Sequence, residues 1–168
     1  TKDSLKNLKR SHHSLLAQID AGKTIYGVNT GFGNLSQIKI DPKDQKDLQL
    51  NLVRSHASGV GEPFELGLVR SIFVLKLLTY VKGYSGIRPA LAEKIVQFLN
   101  KDILPVIPEK GSVGASGDLA PLGHMALALI GEGHVFFQGK TMVTKTALSK
   151  AGVKPVVLHP KEGLSLVN

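Results

Sequence analysis

Glycine and proline divide this chain into pieces that suit short helices and tight turns and little else. The 18 glycines and 8 prolines gather largely in clusters: "IYGVNTGFGN" (25–34), "ASGVGEP" (57–63), "GYSGIRP" (83–89), "ILPVIP" (103–108) and "GSVGASGD" (111–118). Each cluster interrupts a helix, through a missing amide donor or a backbone with too much freedom. The stretches between them carry apolar residues at helical spacing. Leu5, Leu8, Leu15, Leu16 and Ile19 predict an amphipathic helix over the first twenty residues, ended by Ala21-Gly22. Asp41-Pro42 reads as a cap with proline in the first turn, opening a helix that runs towards His56.

A third helix is predicted from about Glu65 to Lys82. Its apolar residues cover most of its circumference, which implies deep burial. Pro89 to Asn100 predicts a fourth, and "ILPVIP" must be extended. A long apolar helix follows the glycine-dense stretch to about Ile130. "HVFFQGKTMV" predicts a hairpin turning at Gln138-Gly139, "TKTALSKAG" a short helix, and "PKEGLSLVN" the start of another. The expectation is a mainly α chain with six or seven helices and one small β-hairpin, residues 1–168 forming a single domain. The chain stops at Asn168 inside an apolar segment, with no capping glycine or polar tail, and this reads as a truncated boundary.

Composition narrows the function classes. With no cysteine there is no disulfide framework, thiolate chemistry or cysteine-bound metal. No apolar run approaches the ~20 residues needed to span a bilayer, and the first twenty residues lack a signal core. A cytoplasmic protein without a membrane partner is expected. The balance of 21 Lys+Arg against 13 Asp+Glu, net +8, raises nucleic acid as a partner. The charges do not cluster, however. The densest run, Lys2 to Arg10, has no stacked aromatics beside it, so a solvated basic surface is expected and nucleic-acid binding is not.

The glycine-dense stretch "GSVGASGDLAPLGH" (111–124) leads straight into an apolar helix. As a phosphate cradle it has the wrong spacing: Gly111, Gly114 and Gly117 fit neither the dinucleotide fingerprint nor the Walker loop, and no Lys-Ser/Thr follows. A hydrolase elbow needs glycine two residues either side of the nucleophile, and Ser116 has Gly114 before it but Asp118 after it. Histidines 12, 13, 56, 124, 134 and 159 show no i,i+3 or i,i+4 pairing, so no metal is expected. Backbone chemistry remains. The Gly117 nitrogen can in principle attack the Ala115 carbonyl carbon and close a five-membered ring. Glycine supplies an unhindered nitrogen and a wide φ,ψ range. Alanine does not crowd the closure, and serine, on losing its hydroxyl, leaves an exocyclic methylene. Two waters depart, and the ring is a strong electrophile made without metal or vitamin.

"GSVGASGDLAPLGHMAL" (111–127) is similar to the signature of the aromatic amino acid ammonia-lyases. "YGVNTGFG" (26–33), "NLVRSHASGVGEP" (51–63), "GYSGIRP" (83–89) and "KEGLSLVN" (161–168) resemble further blocks of that family in the same order, so the resemblance spans nearly the whole chain. It implies an N-terminal helical domain of the ammonia-lyase, fumarase-aspartase-like type. It also implies a methylidene-imidazolone (MIO) group formed from Ala115, Ser116 and Gly117, with Asp118 following as in the family.

By the same resemblance, Tyr26 is the loop tyrosine that acts as base or proton shuttle. His56 meets the substrate's ring, and Asn168 hydrogen-bonds near the prosthetic group. From the residues alone, Tyr26 could equally plug a core beside a turn, His56 could cap a helix C-terminus, and Asn168 could be a local cap. Ser55-His56 resembles the pair of the family members that act on histidine, which implies elimination of ammonia from L-histidine to give urocanate. Tyrosine or phenylalanine is the alternative substrate.

The resemblance further implies a homo-oligomer whose active sites draw on several subunits. It places a carboxylate-binding arginine, a second tyrosine, a glutamate and the central helical bundle beyond residue 168. The isolated chain is then expected to be inactive, and to expose apolar faces of helices 65–82 and 119–130. Gly123 departs from the alanine or serine frequent in the family and is expected only to trim packing. Two other classes compete: a non-catalytic helical domain whose triplet stays linear, and a basic binding module.

Overall fold

The computed structural model describes residues 1–114 and 116–168. Ala115 lies outside the described residues, and the expectation placed on it is taken no further in structural terms. The described residues form seven helices: α1 (Lys2–Asp20), α2 (Gln45–His56), α3 (Leu66–Val81), α4 (Pro89–Asn100), α5 (Leu119–Leu129), α6 (Thr144–Ala151) and α7 (Glu162–Val167). Five short strands accompany them: β1 (Val60–Pro63), β2 (Leu104–Pro105), β3 (Pro108–Lys110), β4 (His134–Phe137) and β5 (Lys140–Val143).

The helices start and stop for local reasons. Thr1 caps α1, its hydroxyl accepting the Ser4 amide at 3.1 Å. Pro89 opens α4, where its missing N–H costs nothing. Gly152, in the left-handed conformation, closes α6. α2 begins at Gln45, later than Asp41-Pro42 suggests. Those two residues belong to a separate turn closed by the Asp44 amide on the Asp41 carbonyl at 2.9 Å, and Asp44 makes no side-chain cap.

The hairpin β4–β5 turns at Gln138-Gly139 as expected, both with positive φ, which matches the twist of two-residue hairpins. There is more sheet than the one hairpin predicted. β2 joins its edge to make the order β2-β4-β5, and β1 pairs antiparallel with β3. The second pairing sets the segment that leaves α2 beside the segment that enters the glycine-dense loop.

α2, α5 and α7 pack on one another, and two of these contacts run through glycine. A Cβ at Gly123 of α5 would lie 2.8 Å from the His56 carbonyl carbon and from the Ala57 nitrogen. A Cβ at Gly163 of α7 would lie 2.5 Å from the Gln49 carbonyl oxygen. Both helices therefore approach α2 backbone to backbone. Gly123 does more than trim packing: its departure from alanine or serine is what this contact requires.

The core spans both sides of this cluster, with Val53, Phe73, Phe98, Met125, Leu129 and Leu166 all buried and Phe73 edge-on to Phe98 at 6.2 Å. α5 is buried along most of its length. α3 is not, contrary to the deep burial its composition implies. Val69, Phe73, Lys76 and Tyr80 face inward, while Leu68, Val74, Leu75 and Leu78 remain exposed. Among the described residues no helix is long and apolar enough to cross a membrane.

Candidate active site

The glycine-dense loop bridges β3 and α5, so its two ends are fixed by a strand pairing and a buried helix. Between them the chain takes three left-handed residues, Gly114 (φ +69°), Ser116 (φ +56°) and Gly117 (φ +80°). For Ser116 this conformation costs about 1–2 kcal/mol, because the Cβ crowds the following carbonyl. The Ser112 hydroxyl braces the loop by donating to the Asp118 carboxylate at 2.6 Å. A Cβ at Gly117 would meet no atom within 4 Å, so glycine is needed there for its backbone angle and not for want of space.

The loop opens onto a cavity of about 600 Å³. Ser116, Gly117 and Asp118 form one side of it, and α3 contributes Leu68, Ile72, Leu75 and Lys76. Pro121 and Leu122 of α5 and Asn168 at the end of α7 also line it, with Phe64, Thr79, Glu109 and Ser112. Ser116, Gly117 and Asn168, far apart in sequence, thus share one cavity.

Lys76 is the cation in this wall and was not singled out in the sequence, although a lysine within the apolar run from Ile72 to Leu78 was the available signal. Its ammonium is nearly buried, donates to the Asn168 carbonyl, and stands 5.6 Å from the centre of the Tyr80 ring. Burial lowers its pKa to about 8, and the Lys161 charge pushes the same way. Tyr80 anchors α7 in turn, its hydroxyl donating to the Ser165 carbonyl at 2.9 Å while burial holds its pKa well above the usual phenol range.

Tyr26 and His56 do not line this cavity. Tyr26 is 53% exposed, its ring edge-on to Phe32 at 5.8 Å. The phenol oxygen accepts the Gly33 amide at 3.2 Å, so the phenol proton is left to be shared outward. His56 ends α2 with Nδ1 2.8 Å from the Leu52 carbonyl and 3.1 Å from the Ser55 hydroxyl. A carbonyl can only accept, so Nδ1 carries a proton and Nε2 is left uncommitted to that bond. The helix-capping role and a role at a ligand are therefore compatible.

His124, on α5, accepts the Gly59 amide on Nε2 at 3.0 Å, and burial lowers its pKa. This bond ties the segment after His56 to the helix that follows the triplet, and the close approach of Gly111 to Gly59 ties it to the segment before. Among the described residues no group of three or more metal-ligating side chains converges.

The described residues fit a group built from the triplet. Consecutive positive φ at Ser116 and Gly117 turns the chain sharply, nothing crowds Gly117, and the adjoining cavity gives such a group room.

Comparison with known proteins agrees with this picture. Residues 1–168 match the family described as aromatic amino acid lyase. The chain is 51% identical over 166 residues to the histidine ammonia-lyase of Geobacillus thermodenitrificans, covering 99% of this chain and 33% of that one. Its fold is similar to that of the phenylalanine aminomutase of Pantoea agglomerans, with a TM-score of 0.95 at 34% identity, over 100% of this chain and 32% of that one. It is also similar to the histidine ammonia-lyase of Trypanosoma cruzi, with a TM-score of 0.91 at 35% identity, covering 100% and 32%. The chain spans about a third of the length of the relatives it matches.

Proposed function

The chain belongs to the aromatic amino acid lyase family, and on that premise we propose that it is the N-terminal part of an ammonia-lyase that eliminates ammonia from L-histidine to give urocanate. The observation that carries the reading is the meeting of Ser116, Gly117, Asp118 and Asn168 on one cavity. Histidine is chosen over tyrosine or phenylalanine because the relative at 51% identity bears that substrate in its name.

Ala115, Ser116 and Gly117 would hold the methylidene-imidazolone, which when formed supplies an electrophilic carbon that turns ammonia into a good leaving group. The chain's own residues do the rest. Ser112 fixes Asp118 and with it the exit of the loop. Lys76 fixes the Asn168 backbone at the wall of the cavity that Ser116 and Gly117 also line. Leu68, Ile72 and Leu122 give the cavity apolar wall beside the loop.

Tyr26, its oxygen held by Gly33, is the group that moves the β-proton. His56, its Nδ1–H committed to the Leu52 carbonyl, has Nε2 left to meet an imidazole substrate. Because Tyr26 and His56 stand outside the cavity, they serve a site completed by another copy in a homo-oligomer. This chain alone then does not turn over.

The test is elimination measured on the longest translation product of the gene that contains these residues. Urocanate from L-histidine is expected. An unsaturated acid from tyrosine or phenylalanine instead would move the substrate to the alternative. No elimination from any of the three would leave a non-catalytic helical domain.

A further inference from the structure

Gln49 sits on α2, two turns before His56, with its side chain wholly buried. Its Nε2 donates to the Gly27 carbonyl at 2.8 Å, and its Oε1 accepts the Leu164 amide at 3.0 Å. The partners dictate this orientation, because a carbonyl only accepts and a backbone amide only donates. Both ends of the amide are therefore committed to segments remote from α2 in sequence. Leaving either end of a buried amide unpaired is a substantial desolvation penalty.

The two segments are those that carry site residues. Gly27 follows Tyr26 directly. Leu164 begins the turn of α7 that ends at Asn168, whose amide donates to the Leu164 carbonyl at 3.1 Å. The contact is close on every side. A Cβ at Gly163 would lie 2.5 Å from the Gln49 carbonyl oxygen, and a Cβ at Gly27 would lie 2.9 Å from the Leu164 side chain. No other residue type reproduces the arrangement. Asparagine is a methylene too short, and leucine has no polar atoms. Glutamate can still accept from Leu164 but, when ionised, sets an oxygen against the Gly27 carbonyl.

We infer that Gln49 is a positioning residue, a single buried amide that ties the Tyr26 loop to the helix ending in Asn168 and so fixes the spacing of two site residues contributed by this chain. Its functional meaning rests on the reading of Tyr26 and Asn168 given above; its geometry does not. The asymmetry of glutamate supplies the test. In Gln49→Glu the bond to Leu164 survives, and the bond to Gly27 returns only when the carboxyl is protonated and can donate.

Amide hydrogen exchange is measured on the 168-residue chain as wild type, Gln49→Glu and Gln49→Leu, with rates corrected for intrinsic pH dependence. In Gln49→Glu at high pH, protection over residues 25–33 is expected to fall at least tenfold while residues 161–168 keep most of theirs. On acidification the loop's protection returns in Gln49→Glu, stays low in Gln49→Leu, and does not change in the wild type. Lys46, Asp47, Arg54 and His56 on α2, Tyr26 on the loop, His124 on α5, and Lys161 and Glu162 at the start of α7 are common to all three chains and cancel in the comparison. Loop protection unaffected in Gln49→Glu, or lost without recovery at low pH, overturns the inference, the latter because a simple packing defect would not respond to protonation. If Gln49→Leu does not fold, Gln49→Glu alone decides. The mass of the triplet, measured on the same samples, reports separately on the lyase reading, so failure of one is distinguishable from failure of the other.

Discussion

Arg88 grips Glu162 with two nitrogen atoms, Nε 2.9 Å from Oε1 and Nη2 2.8 Å from Oε2, although only 1% of the glutamate is exposed. The Arg88 and His159 amides complete the carboxylate's shell at 3.2 and 2.9 Å. This ties the start of α4 to the start of α7. Removing the cation leaves a buried carboxylate supported by backbone alone, and loss of one partner of such a pair costs about 3 kcal/mol. Arg88→Ala is expected to lose that much in urea denaturation, and adding Glu162→Gln to recover part of it. Equal stability of Arg88→Ala and wild type would count against the clamp.

Gly123, at the contact of α5 with α2, and Gly117, in the loop of the candidate site, are glycines for different reasons. A side chain at Gly123 runs into the backbone of His56 and Ala57, whereas one at Gly117 meets nothing. Gly123→Ala is expected to destabilise the fold by about 1–3 kcal/mol, as overpacking does. Gly117→Ala should cost less stability, about 1 kcal/mol from its positive φ, and yet abolish any modification of the triplet. Thermal denaturation and peptide mass together separate the two.

Lys76 makes stability depend on pH in a definite direction. Its folded pKa, about 8, lies below the ordinary lysine value of 10.5 because burial disfavours the ammonium. Between those two values the unfolded chain binds more protons, so stability rises with pH across that window. The gain is on the order of 3 kcal/mol. Lys76→Met should lack it, and denaturation at pH 7.5 and 10.5 on both chains checks the difference. Parallel pH profiles would show that the ammonium is not buried in solution.

The exposed row Leu68, Leu75 and Leu78 on α3 is apolar surface of the kind that drives association. The chain is expected to self-associate with rising concentration in sedimentation, and Leu75→Glu with Leu78→Lys to shift it towards monomer. A wild-type chain that stays monomeric throughout would contradict this.

Much of the fold was legible because helices announce themselves locally. The spacing of Leu8 and Leu15, the proline at 89 and the Gln138-Gly139 turn each act within a few residues. What was not legible depends on distant partners. β1 contains glycine and proline and no alternation, and it becomes a strand only because β3 lies beside it. An all-apolar circumference on α3 could not say which face would be covered. The triplet stood out as a motif and its resemblance pointed to a chemistry. Lys76 and Gln49 did not stand out, since their roles exist only once Asn168, Gly27 and Leu164 have been folded against them.

The central claim is that Ala115, Ser116 and Gly117 become an electrophile, and the most direct measurement is the mass of the tryptic peptide 111–140 from the longest gene product that contains it. A deficit of two waters, lost in Gly117→Ala, is the expected result. The unmodified mass in a protein that is folded would contradict the claim and leave the loop as a turn built of small residues.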